Sequence, residues 1–71
     1  MRKVEVFKTD VSDTSQSKLL LGQLLTMLPK CRINFDLDDC DRVLRIEGEN
    51  FAAISVILLM NEKGFLCEEL A

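Results

Sequence analysis

Residues 31–46, CRINFDLDDCDRVLRI, limit what this chain can become more than any other stretch. Ile33, Phe35 and Leu37 alternate with Arg32, Asn34, Asp36 and Asp38. Beyond the acidic residues 38–41, Leu44 and Ile46 alternate with Val43, Arg45 and Glu47. A period of two predicts two strands, each with one face on a core and one in water. Asp38, Asp39, Cys40 and Asp41 supply the turn, because aspartates hydrogen-bond their own backbone and tolerate left-handed angles. A lone two-stranded hairpin is not stable in water, so the rest of the chain must cover its apolar face.

Residues 3–9, KVEVFKT, predict a first strand, with Val4 and Val6 turned to the core and Phe7 left on the open face. Asp13 followed by Gln16 has the form of a capping box. The helix it opens runs to about Leu28, with Leu20, Leu21, Leu24, Leu25 and Leu28 as its apolar face. Pro29 ends it, since proline disfavours helical angles in the residue before it. After Gly48, Asn50 is a second N-cap candidate, and Phe51, Ile54, Ile57, Leu58 and Met60 form the next apolar face. Gly64 suits the left-handed position past a helix end, with Phe65 packing back on the last turn. Residues 65–70 read as a short last strand. The order is βαββαβ in one domain, residues 1–71. Elements with one apolar face each pack as two layers. Right-handed crossovers favour an α+β, ferredoxin-like two-layer sandwich: a four-stranded antiparallel sheet with two helices on one face. The hairpin's first arm and the last strand are then the sheet edges. Cys31 shares parity with Ile33, Phe35 and Leu37 and so faces inward, and Cys40 lies open in the turn.

A chain of 71 residues is one domain near the lower end of what folds unaided. The aromatics are Phe7, Phe35, Phe51 and Phe65, so the core is aliphatic and no stacking platform for bases or sugars is expected. Histidine is absent, which removes the usual general base and metal ligand near neutral pH. Net charge is −3, split as +2 over residues 1–30 and −5 over residues 31–71. Without a basic stripe, neither nucleic acid nor an anionic membrane is an expected partner. The apolar run 19–28 is interrupted by Gly22, Gln23 and Thr26 and is too short to span a bilayer. A strand pattern begins directly after Met1, so no leader segment is expected. Three cysteines without CxxC spacing then predict a cytosolic protein with free thiols.

A strand, a loop, a helix ending in Leu28-Pro29, a hairpin, and a second helix running into Lys63-Gly64-Phe65 follow one another. Over nearly its whole length the chain resembles a heavy-metal-associated domain, the small copper-chaperone fold. That resemblance implies the ferredoxin-like fold, an inward-facing Cys67, and a Met-x-Cys-x-x-Cys loop whose thiolates hold Cu(I). Counted back from Leu28-Pro29, the motif's Met falls at Ser12 and its cysteines at Thr14 and Ser17. A hydroxyl is a hard, neutral donor and does not replace a soft thiolate. The chain therefore resembles a degenerate member without the metal site.

Other polar groups are weighed against plainer roles. Thr14 and Ser17, in a first helical turn, would suit an anion, but ordinary capping accounts for them. Asp36, Asp38, Asp39 and Asp41 would suit Ca²⁺ or Mg²⁺, but the calcium-loop pattern needs glycine where Asp41 stands. Arg32, Arg42 and Arg45 are placed to pair with those acids. A reactive cysteine needs a base or cation beside it, and no histidine exists to serve. No catalytic, cofactor-binding or metal residue is assigned, and no cofactor is expected. The reading is a non-enzymatic module working through protein contacts at the sheet's open face or edge, near Phe7 and Val43. Its partner is an unknown protein or a second copy in a weak homodimer. The alternatives are metal handling by Cys40 with its neighbouring aspartates, and a small-molecule-sensing regulatory domain.

Overall fold

The computed structural model describes residues 2–70. In chain order the elements are β1 (Lys3–Thr9), α1 (Thr14–Met27), β2 (Arg32–Asp36), β3 (Val43–Gly48), α2 (Ala53–Glu62) and β4 (Cys67–Glu69). All strand pairs are antiparallel, and the sheet order is β2-β3-β1-β4. This is the ferredoxin-like α+β fold. One cluster joins Leu20 and Leu24 of α1, Val56 and Met60 of α2, and Phe7, Ile33, Leu44 and Ile46 of the sheet, so both helices cover the same face. No helix among the described residues is long and apolar enough to cross a membrane.

The hairpin keeps the face that its alternation predicts. Ile33 pairs with Ile46 and Phe35 with Leu44, all on the helix side. The first strand has the opposite face from the one expected. Phe7 pairs with Leu44 and is 0% exposed, whereas Val4 pairs with Glu47 and is 53% exposed. Phe7 has β3 on one side and β4 on the other, through its pairing with Glu69. Val4 lies toward the strand end, beyond the reach of the short β4. The position flanked on both sides buries the large ring, and burial scales with apolar area. Val4 and Val6 therefore join Val43 on the open face.

The helices depart from expectation on their flanks. In α1, Ser17, Leu20 and Leu24 are buried and Leu21 and Leu28 packed against the core, but Leu25 is 40% exposed. In α2 the inward set is Ala53, Val56, Ile57 and Met60, spaced i, i+3, i+4, i+7. Ile54 and Leu58 face outward, 59% and 60% exposed. The N-cap is Ala52, without a side-chain bond, and Asn50 instead takes a left-handed turn at φ 57°. At the other end Gly64 has φ 91°. Its amide donates to Asn61 O and that of Phe65 to Met60 O, the paired bonds of a Schellman ending. The last strand is shorter than expected, Cys67–Glu69. Gly48 is required by close packing: a Cβ there would stand 2.5 Å from Cys31 Sγ and 3.3 Å from Cys31 Cα.

Candidate functional site

One end of the sheet gathers the β1–α1 loop, the hairpin turn and the α2–β4 turn. The Thr9 amide donates to Asp41 O at 3.0 Å, and the Leu66 amide donates to Asp10 Oδ1 at 2.9 Å. Thr14 and Ser17 belong to this end. The Asp13 carboxylate accepts from the Ser15 amide at 2.7 Å, and hydrogen bonding by Ser15, its side chain first and then this amide, holds the Asp13 pKa below the ordinary 3.8. Ser17 Oγ donates to the Thr14 carbonyl at 2.8 Å. The Asp13 carboxylate and the Ser17 hydroxyl are thus engaged in capping and back-bonding.

In the hairpin turn the ligand-type atoms of Asp39, Cys40 and Asp41 all lie within 4.8 Å of one another. Asp39 Oδ1 already accepts from the Asp41 amide at 2.9 Å, and Asp39 O accepts from the Arg42 amide. This arrangement lets Arg42 adopt φ 49° and restart the strand. The Arg42 guanidinium donates to Leu37 O at 3.1 Å rather than to a carboxylate. Asp36 stands apart on β2, opposite Val43. The three thiols are dispersed: Cys40 is exposed, Cys31 half-buried near Gly48, and Cys67 buried in β4. Burial pushes the Cys67 thiol up to about 11, which leaves it unreactive at neutral pH.

The structure also assembles a group that the sequence reading missed. Lys3 and Glu5 share parity with Phe7, so the corrected register turns them to the helix side. Lys3 Nζ lies 3.8 Å from Glu5 Oε2 and 4.6 Å from the centre of the Phe51 ring. A hydrogen bond with Glu5, then desolvation and the Glu5 charge, raises the Glu69 pKa above its ordinary value, and Lys3 opposes the shift. The parity of Phe7 was the signal that would have revealed this group. At the opposite end of the sheet, the α1–β2 and β3–α2 connections wall an open cleft of about 340 Å³ with Arg2, Lys30, Cys31 and Asn50 in its lining.

The two sheet edges differ. β4 has three residues, two of them Glu68 and Glu69. β2 has five, RINFD, and among the described residues no strand lies on its outer side. Compared with known proteins, the chain matches no family model, no curated protein and no solved structure.

Proposed function

We propose that this chain is a non-enzymatic interaction module that receives an extended segment along the free edge of β2. The observation that supports this reading is the edge itself: five residues of strand, unneighboured on one side, with Phe35 only half-buried. An edge of this kind offers a row of amides and carbonyls to an added strand, while the alternating side chains give specificity. The absence of histidine and the raised pKa of Cys67 fit a protein without catalytic chemistry. In this reading the likeness to a heavy-metal-associated domain is one of fold, its thiolate pair replaced by Thr14 and Ser17.

The test is selection of random extended peptides on the immobilised chain, followed by NMR mapping of the binders. Shifts concentrated on the β2 amides, and lost in Asn34→Pro, support the reading. Binders that map elsewhere, or none, overturn it. Cu(I) offered against a competing chelator is expected to stay with the chelator. Uptake of one equivalent would favour the metal-handling alternative.

A further inference from the structure

The β2 edge carries its own complement. On its open face, in order, stand Arg32, Asn34 and Asp36: a cation, a neutral amide and an anion, evenly spaced. All three are exposed. Among the described residues their side chains make no hydrogen bond or ion pair, since the pairs formed nearby are Arg2–Glu47 and Arg42–Leu37. The charged side chains of this edge are therefore uncommitted among the described residues.

We infer that the segment received on β2 is the β2 strand of a second copy, running antiparallel about a two-fold axis beside Asn34. This rests on the edge-addition reading above and names its partner. In that register Arg32 of each copy faces Asp36 of the other, and the two Asn34 amides face one another. On the helix side Ile33 of each copy faces Phe35 of the other, which covers the half-buried Phe35 ring. Directly opposed residues in an antiparallel pair are the ones that interact, and opposite charges there are favourable. A two-fold axis perpendicular to the sheet keeps both helix layers on one side, so only registers pairing like parity are allowed. Among those, the Asn34-centred register pairs all five strand residues. The result is two four-stranded sheets joined into one. The same operation on β4 sets Glu68 against Glu68, a like-charge pair, over only three residues. Charge on an edge strand discourages such pairing. The two ends of the sheet thus have opposite characters, and the assembly closes at a dimer instead of extending into a filament. A five-residue contact falls below the ~1,200 Å² of standard interfaces, so the dimer is weak and forms at high protein concentration.

The experiment is sedimentation velocity of the full chain from micromolar to about 1 mM, with Arg32→Asp and Asp36→Arg made separately. Each substitution sets two like-charge pairs across the axis, and self-association should weaken at least about tenfold. Both positions are exposed, so both variants should keep the wild-type circular dichroism. Mixing them sets an all-acidic edge against an all-basic one, and a heterodimer should form more tightly than either homodimer. The inference is overturned by a wild-type chain still monomeric at about 1 mM. It is also overturned by variants that self-associate like wild type, by a mixture that gains nothing, or by self-association abolished by Glu68→Lys alone. A monomeric chain that still takes peptides on β2 would sink the second-copy partner and leave edge addition standing. Loss of both would sink the two together.

Discussion

The two helices cover one face of one sheet but are specified from opposite ends. α1 is fixed at its start, where Asp13 caps it, and its buried positions fall on a stripe that the leucine spacing displays. α2 starts at Ala52 without a side-chain cap and is fixed at its finish, where Gly64 turns left-handed and Phe65 bonds back to Met60. Around its circumference α2 is nearly all apolar, AISVILLM, before Asn61 and Glu62. A helix that is apolar all round has no periodicity to display which side is inward. Its facing is decided by where it begins and by Met60 and Val56 fitting against the sheet. The contrast teaches that a capped, amphipathic helix can be oriented from its own residues, whereas α2 is oriented by its neighbours.

Four sets of substitutions would break or sharpen this contrast. The largest effect belongs to the buried stripes: Leu24→Ala and Met60→Ala should each cost roughly 2–5 kcal/mol in urea unfolding. Leu25→Ala should cost well under that, and equal losses at Leu24 and Leu25 would mean that the α1 stripe is misplaced. Next comes the end that fixes α2. Gly64→Ala forces a Cβ into the left-handed region and should cost about 1–2 kcal/mol, a loss absent from the exposed Gly22→Ala.

Third is the end that fixes α1. The Asp13 pKa is lowered in the folded chain, so its carboxylate stabilises the fold above the ordinary value of 3.8. That contribution disappears as pH falls through the lowered value. Asp13→Ala should therefore unfold earlier than wild type near neutrality, and the two thermal midpoints should converge in acid. A gap that persists unchanged to the lowest pH would show that the carboxylate charge has no part in the cap. The smallest effect is on the outer face of α2. Ile54→Ser and Leu58→Ser should change stability by no more than about 0.5 kcal/mol. A loss above about 2 kcal/mol would mean that these side chains are covered.

The element order, the Gly64 ending and the hairpin face follow from local pattern, because each is set by residues close in sequence, and the two edge strands follow from the handedness of the crossovers. The facing of β1 does not. Val4 and Val6 make as good an alternation as Phe7 and Thr9, and only the long-range register with β3 and β4 chooses between them. The Lys3–Glu5–Glu69 group was hidden by the same choice. Cys67 is buried in β4 and Cys40 exposed in the turn, as expected, whereas Cys31 lies just before β2 and is only half-buried instead of fully in the core. The Arg32-Asn34-Asp36 edge was visible as residues throughout. What the sequence lacked was the knowledge that no group among the described residues bonds to their side chains.

Thr9 has a consequence for motion. Its buried hydroxyl donates to Arg42 O at 2.6 Å and accepts from the Val11 amide at 3.2 Å, its amide holds Asp41 O, and its backbone pairs with Cys67. Three segments distant in sequence, β1 with the loop after it, the hairpin turn and β4, are fastened at one buried point. The acidic turn with Cys40 is therefore a fixture and not a flap. It can swing away only by breaking both bonds that the buried Thr9 makes to it. Amides at this end should exchange with solvent as one cooperative unit, on the timescale of sub-global unfolding rather than of loop motion.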